Sequence, residues 1–402
     1  MNQLYHMDIT EDMVDMEIKN IIYICNYAAE YPGNFISSLV LLSKKVIEQN
    51  KEVYYIFPEM AKNKEWLKLL PVDKKNIIFI DFNAKGLDFK LKELKKILKP
   101  KETIIHTHFV DGVILFKLKK HYPRKNIIIH FHNTMKTEKN MIMSIIKIIV
   151  RNFAYMGLKI VAVSPTYLPK VQKYYFLNKD IDMITNAIDF ESLELRSEDI
   201  DIDLNLDPRN YNMLIFGSAF YRKSVDIAIQ AINKVNDIND KLENKKYNKY
   251  KLYITSDKIE ETKKLVLKHS KNKEDLGNIF EVIPTVTNVG ALYKKINLFL
   301  SVSRRETFAY AVLEASLTNS KVQIIASDII GQDTLKIIDG INWVELENVE
   351  QLTKKIIEVS KLLSKELESI KEKQIQSAKK EFDIKNWVKS NLKLYNNIES
   401  RI

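Results

Sequence analysis

The chain has 402 residues, of which 46% are hydrophobic and 29% are charged. This globular composition excludes a disordered or fibrous protein. Because a single core stops growing near about 250–300 residues, the length predicts two domains. The formal net charge of +11 indicates either a solvated lysine surface or attraction to anionic lipid, an anionic acceptor or nucleic acid. Nucleic acid is the weakest of these partners, because the sequence has no recognised nucleic-acid-binding motif.

Glycine and cysteine are both scarce. The 9 glycines are about 2% of the chain against a usual value of about 7%, so a site that brings backbone close to phosphate must use few of them. Cys25 is the only cysteine, which excludes an intrachain disulfide. Met1–Met16 is acidic and is not expected to be a signal peptide, and the apolar stretch Met141–Val163 is interrupted by cations. We expect a cytoplasmic protein that could contact the inner face of the cell membrane.

Short apolar runs that favour β-strands alternate with helical patterns in the first half of the chain. Strands are predicted at Asn20–Asn26, Val53–Phe57, Asn76–Asp81, Thr103–Thr107, Asn126–Phe131 and Lys159–Val163. Nearly continuous apolar strands joined by helices indicate a parallel sheet that is covered on both faces. The first domain, residues 1–190, is therefore predicted to be Rossmann-like over about residues 18–190.

The alternation pauses over residues 191–210, an acidic stretch containing Pro208 that we interpret as a linker. It resumes over residues 211–380 as a second Rossmann-like pattern. The predicted strands there are Tyr211–Gly217, Lys251–Thr255, Ile279–Ile283, Asn297–Ser301 and Val322–Ala326. The predicted helices are Val225–Val235, Gln351–Lys379 and, within residues 381–402, Phe382–Ile398. Two such domains place the carboxyl ends of two sheets around one cleft, where ligands usually bind.

The segment Ser303–Ala315, SRRETFAYAVLEA, follows a predicted strand and opens a helix. Glu306 lies in the strand-to-helix turn, and Glu314 lies eight residues further on, about two turns into the helix. The free donors predicted at the helix start are the N–H groups of Thr307, Phe308 and Ala309. With the helix dipole they form an anion site, and two flanking carboxylates suit a diphosphate that lies between two polyols. An N-capped amphipathic helix with a surface glutamate remains an alternative.

A second segment, Leu214–Asp226, reads LIFGSAFYRKSVD. A strand ends at Gly217, and the loop that follows carries Arg222 and Lys223 before a helix begins. Two cations at the carboxyl end of a strand are well placed to hold a diphosphate. A solvated basic loop remains the alternative interpretation.

Together these segments resemble the GT-B glycosyltransferases, specifically the retaining family-four type (glycosyl transferases group 1). The motifs that carry the resemblance occur in the same order along about residues 20–398. They are Gly33-Asn34, His106-Thr-His108, His132 in IIIHFHNT, VAVSP at 161–165, TNAIDFESL at 185–193, Gly217 with Lys223, Glu306 with Glu314, Asp328 with Gly331, and Gly340 with Asn342.

The resemblance implies an α/β protein with the GT-B fold, in which two Rossmann-like domains face each other across a cleft and a C-terminal helix crosses back to the N-terminal domain. It also implies transfer of a sugar from a nucleotide-diphosphate sugar to a hydroxyl of a cell-envelope glycan, glycolipid or glycoprotein, with the acceptor bound by the N-terminal domain. No metal and no cofactor are expected, since positive groups replace the metal in this family. The pair His106-Thr-His108 is too small to hold a metal by itself.

The resemblance also assigns residues. Lys223 and Arg222 are expected to hold the diphosphate, and Glu306 and His132 the donor sugar. Further ligand contacts are implied for Glu314 at the ribose, and for Gly217, Gly33, Asn34, Thr307, Phe308 and Ala309 at the turns around the donor. No general base is evident, and in the mechanism proposed for this family the departing phosphate takes the acceptor proton.

Several positions depart from the family pattern, including the single glycine of the first loop, the segment Tyr253–Lys258 and Asn319-Ser320. Ser218 stands where the family usually has arginine, and Ser224 and Ala309 stand where glycine is common. The missing arginine keeps open a non-catalytic GT-B-like subunit that stabilises or directs a partner transferase. A transferase that uses another acceptor, such as phosphate, is a closer alternative. A dinucleotide-dependent oxidoreductase is disfavoured, since no G-x-G-x-x-G follows any predicted strand.

Two predicted helices could place the protein on anionic lipid. Leu87–Lys99 carries leucines on one face and lysines on the rest, although a sheet-covering helix with a solvated lysine face explains that pattern equally. The helix that contains Lys147 and Arg151 is the second candidate.

Overall fold

The computed structural model describes residues 17–82, 84–110, 112–132, 141–178, 180–195, 204, 206–286 and 288–400. Seven parallel strands form the first sheet, in the order β3-β2-β1-β4-β5-β6-β7. These strands are β1 (Asn20–Cys25), β2 (Glu52–Pro58), β3 (Ile77–Ile80), β4 (Thr103–His108), β5 (Ile127–Phe131), β6 (Lys159–Ala162) and β7 (Ile181–Met183). The helices around them are α1 (Gly33–Ile47), α2 (Ala84–Ile97), α3 (Gly112–His121), α4 (Met141–Tyr155), α5 (Leu168–Tyr174) and α6 (Phe190–Leu195).

Six parallel strands form the second sheet, in the order β10-β9-β8-β11-β12-β13. They are β8 (Tyr211–Phe216), β9 (Tyr250–Ser256), β10 (Phe280–Pro284), β11 (Leu298–Ser301), β12 (Gln323–Ser327) and β13 (Asn342–Val344). The helices are α7 (Val225–Asp240), α8 (Ile259–His269), α9 (Asp275–Asn278), α10 (Val289–Lys295), α11 (Tyr310–Leu317), α12 (Val349–Ser360), α13 (Ser364–Glu381) and α14 (Ile384–Glu399). Short 3₁₀ helices cover Glu59–Ala61, Glu65–Leu69, Lys74–Asn76, Pro100–Glu102, Arg124–Asn126 and Asp333–Ile337.

The central strands are buried on both faces. In β1, Ile21 and Tyr23 belong to one core cluster, whereas Ile22 and Ile24 belong to the cluster on the opposite side of the sheet. Because successive side chains of a strand point to opposite faces, both faces need apolar residues, which produces the continuous apolar run seen in the sequence. The predicted two-domain α/β architecture is confirmed.

Both sheets reverse their strand order at one place. β1 lies between β2 and β4, and β8 lies between β9 and β11. In open parallel sheets the crevice beyond the carboxyl ends at such a reversal is the usual ligand site. The loops that follow β1, β4, β8 and β11 are therefore the ones positioned to build a site.

The last helix returns to the first domain, as predicted. Trp387 and Tyr395 of α14 are buried in the same core cluster as β1. The crossing point is fixed by two backbone hydrogen bonds, from Ile188 N to Phe382 O at 3.1 Å and from Ile384 N to Ile188 O at 3.2 Å. Helix α14 therefore packs as part of the first domain.

One helix prediction in the second domain is wrong. The single helix predicted at Gln351–Lys379 is two helices, since α12 ends at Ser360 and α13 begins at Ser364. The Ser360 carbonyl accepts a hydrogen bond from Lys246 Nζ at 2.8 Å, which ties the chain to the loop before β9 at the break. The predicted linker begins inside α6, and its residues 196–203 and 205 lie outside the described residues. Strands β7 and β13 were not predicted; each has three residues of mixed polarity.

No helix in the described part of the chain is long and apolar enough to cross a bilayer.

Candidate active site

The carboxylate of Glu306 lies at the centre of the predicted donor site. It is in the turn between β11 and α11, and its Oε1 accepts hydrogen bonds from Lys223 Nζ at 2.7 Å and Arg222 Nη1 at 3.0 Å. Ser303 Oγ donates a third hydrogen bond to the same oxygen at 2.9 Å. The two loops that were singled out in the sequence therefore meet, because β8 and β11 are neighbours and both loops leave at the same edge of the sheet.

Burial and charge act in opposite directions on Glu306. Its side chain is only 12% exposed, and burial alone would raise its pKa. The charges of Lys223 and Arg222 and the hydrogen bonds from Lys223 and Ser303 outweigh burial and hold the pKa of Glu306 below its usual range. Glu306 is therefore ionised at neutral pH, with two cations beside it.

Arg304 fixes the geometry between the two loops, and the sequence analysis did not identify it. Its guanidinium forms two hydrogen bonds with the Asp226 carboxylate, both at 2.8 Å. The Arg304 backbone N–H donates to Arg222 O at 2.8 Å. A paired arginine–carboxylate contact of this kind holds both partners in one orientation. The one feature of the sequence that could have drawn attention to Arg304 is the rarity of arginine, since only eight of the 63 basic residues are arginine.

Ser224, which directly follows Lys223, adopts a conformation suited to glycine. Its φ is +55°, and it caps the start of α7. The side chain is fully buried, and its Oγ has no hydrogen-bond partner among the described residues. The backbone at this position enters the left-handed region, which glycine adopts without strain. That conformation explains why the family pattern led us to expect glycine here.

Gly217, at the end of β8, is required by packing. A Cβ at this position would lie 2.4 Å from Ile254 Cγ2 and 3.0 Å from Thr255 O on the neighbouring strand. The close approach of β8 and β9 therefore accounts for this glycine without a ligand.

The predicted helix start is wrong by three residues. Helix α11 begins at Tyr310, so Thr307, Phe308 and Ala309 form the loop before it. Phe308 and Ala309 are buried in the core of the second domain, which leaves only their backbone groups for a ligand. The N–H groups of these three residues donate no hydrogen bond to any described residue, so the expected donors remain available.

Residues of the first domain close over this site. Asn34 Nδ2 donates to Glu314 Oε1 at 2.6 Å, and Thr307 Oγ1 donates to His132 O at 2.8 Å. Gly33, which precedes Asn34, begins α1 with a φ of +52°. The predicted residues of both domains are thus within hydrogen-bonding distance of one another across the cleft.

A second set of contacts closes the cleft beside Glu306. Thr166 Oγ1 and Thr334 Oγ1 are 2.8 Å apart, and Gly331 N donates to Thr166 Oγ1 at 3.2 Å. Gly331 has a φ of +95°, and a Cβ there would lie 2.4 Å from Glu306 O. Glycine at this position lets the chain pass directly beside the Glu306 turn.

Four histidines line the ends of β4 and β5. His106 and His108 point to the same face, as predicted, and strand register pairs His108 with His130. The short contacts that join the four rings to one another and to α14 are His106 Nδ1–Tyr395 Oη at 2.7 Å, His106 Nε2–His130 Nδ1 at 3.2 Å and His108 Nδ1–His132 Nε2 at 3.0 Å. Burial lowers the pKa of His132 to about 3, so its ring is neutral at physiological pH.

The tautomer of His132 follows from its partner. His108 Nε2 is buried and has no hydrogen-bond partner among the described residues. A neutral His108 that carried its proton there would bury an unsatisfied N–H, whereas an unpaired ring lone pair is the milder defect. His108 therefore donates from Nδ1 to His132 Nε2, and His132 carries its own proton on Nδ1. Since Nδ1 of His132 bonds to no described residue, it is a donor available to a ligand.

The histidines also include the one group of three possible metal ligands found among the described residues. One ring nitrogen each from His106, His108 and His130 lies within 4.8 Å of the others. The sequence analysis counted two ligands here and missed His130, which the register of β5 adds. Two of these rings already share a hydrogen bond, so the same nitrogens cannot also bind a metal without rearrangement.

A known family model matches most of the second domain. Residues 211–361 match the family model described as glycosyl transferases group 1. The matched segment runs from β8 through α12 and includes Lys223, Glu306 and Glu314. Among curated protein sequences, none matches the chain.

Solved structures match nearly the whole chain. A glycosyltransferase from Rickettsia africae ESF-5 has 16% identity and a TM-score of 0.70, with 94% of this chain and 98% of that chain covered. Sucrose-phosphate synthase from Thermosynechococcus elongatus has 13% identity and a TM-score of 0.71, with 96% and 100% covered. Anabaena HepE in complex with UDP and glucose has 13% identity and a TM-score of 0.68, with 94% and 100% covered. The GT-B fold and the predicted resemblance to group 1 glycosyltransferases are confirmed.

Proposed function

We propose that this protein transfers a sugar from a nucleotide-diphosphate sugar to an acceptor hydroxyl, with retention of configuration at the anomeric carbon. The observation that carries the proposal is the cluster of Arg222, Lys223 and Glu306 at the carboxyl ends of β8 and β11. It lies on a GT-B fold, in a segment that matches a family of glycosyltransferases. The cluster supplies fixed positive charge and an ionised carboxylate at the point where the two domains meet.

The two cations suit a departing diphosphate. As the bond to the sugar breaks, negative charge grows on the diphosphate, and preorganised cations at that point lower the barrier. Lys223 has three N–H donors and uses one on Glu306 in this structure, so it can bind a phosphate oxygen without losing the carboxylate. The free N–H groups of residues 307–309 add neutral donors. These groups are proposed to replace a metal ion.

The carboxylates suit the two polyols of the donor. Glu306 is assigned to the hydroxyls of the donor sugar and Glu314 to those of the ribose. Glu314 accepts a hydrogen bond from Asn34 on one oxygen, and a carboxylate has about four lone-pair sites, so it can accept from a ribose as well. His132 is assigned to the donor sugar, as a hydrogen-bond donor through Nδ1. The departing phosphate is proposed to take the acceptor proton.

The donor and acceptor classes are proposed from the comparison and from the fold. HepE, which shares the fold, binds UDP and glucose, so UDP-sugars are the first donors to test. The acceptor is proposed to be a hydroxyl of a cell-envelope glycan, glycolipid or glycoprotein, bound by the first domain at the cytoplasmic side of the membrane.

The test is nucleotide binding followed by turnover. The purified protein is heated with UDP, GDP, CDP, ADP or dTDP, and we expect one base to raise its melting temperature. Release of that nucleotide from its sugar conjugate is then measured for the wild type, Glu306→Gln and Lys223→Ala, with expected losses of at least about a hundredfold. Glu65→Gln and Lys75→Ala, on side chains that are 84% and 79% exposed, are the matched controls.

Two outcomes would contradict the proposal. Near-wild-type turnover of either site variant would refute the site assignment. Failure of every nucleotide to stabilise the protein would favour the non-catalytic subunit, since that role needs no donor site.

A further inference from the structure

Helix α4 presents large apolar side chains to solvent along its length. Ile145, Ile146, Ile149, Val150 and Phe153 are each between 46% and 53% exposed, and Ile142 is 67% exposed. No other helix in the described part of the chain exposes more than two large apolar residues. A row of this size on one helix is a characteristic of surfaces that bind another apolar phase.

The exposed residues form one face of the helix. At 100° per residue, these six positions span an arc of about 140°. One edge of this arc adjoins the domain, because Asn152 is 1% exposed and its Nδ2 donates to Tyr174 O at 2.9 Å. Lys147 lies beyond the other edge, and Arg151 lies on the side that faces the domain, where its guanidinium donates to Tyr174 Oη. We call this surface the α4 face.

Neighbouring segments extend the α4 face. Lys119 Nζ of α3 donates to Phe153 O at 2.8 Å and lies 5.5 Å from the centre of the Phe116 ring, which is itself 41% exposed. On the other side, Leu177 N donates to Asn152 Oδ1 at 3.1 Å, and Phe176 beside it is 58% exposed. The apolar surface is therefore continuous over three segments of the first domain.

The three helices of this surface carry only positive charge. Helices α3, α4 and α5 together contain seven lysines and arginines and no aspartate or glutamate. An apolar face rimmed by cations complements an anionic bilayer, where the apolar side chains enter the acyl boundary and the cations meet the headgroups. A second copy of the chain would bring two surfaces of the same sign together, which disfavours self-association through this face.

We propose that the α4 face docks the protein on an anionic lipid surface, with α4 lying in the plane of the interface. Helix α4 ends at Tyr155, and β6 begins soon afterwards at Lys159, so the C-terminal end of α4 lies near the amino edge of the sheet. Its N-terminal end lies toward the carboxyl edge, where the cleft opens. This orientation would bring the cleft close to the bilayer surface. If the proposed transferase function holds, on which this step rests, the orientation favours an amphiphilic acceptor whose apolar chain stays in the bilayer.

Vesicle sedimentation tests the docking directly. The full-length protein is mixed with vesicles of phosphatidylcholine alone or of phosphatidylcholine with phosphatidylglycerol, and we expect it to sediment only with the anionic vesicles. The triple variant Ile146→Ser, Ile149→Ser, Phe153→Ser is expected to lower the partition coefficient at least about tenfold. The matched control, Met60→Ser, Leu69→Ser, Leu363→Ser, changes three exposed apolar residues elsewhere and should partition like the wild type.

The charge contribution is tested separately. Lys147→Glu should lower binding to anionic vesicles at least about fivefold, whereas Lys75→Glu, on an exposed side chain outside the α4 face, should not. Equal partitioning of the wild type and the triple variant would overturn the proposal. So would a wild-type dimer in light scattering that the triple variant converts to a monomer, since the α4 face would then be a subunit interface.

The readouts keep this proposal distinct from the transferase proposal. Sedimentation needs no nucleotide, so docking can be confirmed or overturned whether or not sugar transfer is found. Nucleotide-induced stabilisation of the triple variant should equal that of the wild type, because none of the three substituted residues lies at the donor site.

Discussion

Ser224→Gly is predicted to stabilise the protein. Ser224 is held at a φ of +55° with its buried Oγ unpartnered among the described residues. Left-handed backbone costs a non-glycine residue about 1–3 kcal/mol, and a buried hydroxyl without a partner costs about 1–3 kcal/mol. Glycine removes both penalties but loses about 0.5–1 kcal/mol through the greater freedom of the unfolded chain. With both penalties at the lower ends of their ranges, the net gain in the free energy of unfolding is about 1–1.5 kcal/mol.

The assay is urea denaturation of the second domain within the full-length protein, followed by tryptophan fluorescence and by circular dichroism. A gain of about 1.4 kcal/mol is a tenfold shift in the folding equilibrium. Asn50→Gly is the matched control, because Asn50 also has a positive φ, of 60°, but is exposed and is an asparagine. Asparagine tolerates the left-handed region, so this change should stay within about 0.5 kcal/mol. A destabilised Ser224→Gly variant, or one no more stable than Asn50→Gly, would refute the reasoning.

Three further predictions follow from the site. Arg304→Lys should lower kcat/KM by about tenfold to a hundredfold, because lysine cannot make the paired contact with Asp226. Initial rates measure this change, and an unchanged kcat/KM would show that Arg304 does not position the site. Because the pKa of Glu306 is lowered in the folded state, its carboxylate stabilises the fold above the unfolded value near about 4.3, and this stability is lost as pH falls through the folded pKa. Urea titrations should therefore show the wild type losing its advantage over Glu306→Gln below about pH 4; a constant difference from pH 7 to pH 3 would contradict this. Nitrogen-15 spectra of labelled histidine should show His132 protonated at Nδ1 in the wild type and a changed tautomer ratio in His108→Leu, whereas an unaltered ratio would mean that His108 does not orient the ring.

The strands of both sheets were predictable because they are buried on both faces. β1 and β4 were recognised as strands because every residue in them is buried, although β4 includes two threonines and two histidines. β7 and β13 were missed for the opposite reason, since each is a three-residue edge strand of mixed polarity that is only partly buried. The break between α12 and α13 was also invisible, because it depends on a contact between Ser360 and Lys246, more than a hundred positions earlier in the chain.

The site was predictable where it depends on chain order and unpredictable where it depends on side-chain partners. Residues at the carboxyl ends of neighbouring strands must lie together, which brought Lys223 and Glu306 into contact. Arg304 and His130 were missed because their roles arise from tertiary contacts, with Asp226 for one and with the strand register for the other. Neither residue has a characteristic spacing from its partner.

The glycines separate packing from ligand binding in this fold. Gly217 and Gly331 are both constrained by protein atoms, since a Cβ at either would lie 2.4 Å from a neighbouring group. Ser224, in contrast, shows that the left-handed position next to Lys223 accepts a side chain at a cost in stability. Glycine is kept at Gly217 and Gly331, where other atoms nearly touch it, and also at Gly277, where φ is +89° and no described atom would lie within 4 Å of a Cβ. Since the approach of Gly331 to Glu306 O sets how the late loop lies against the Glu306 turn, glycine here shapes that turn by packing.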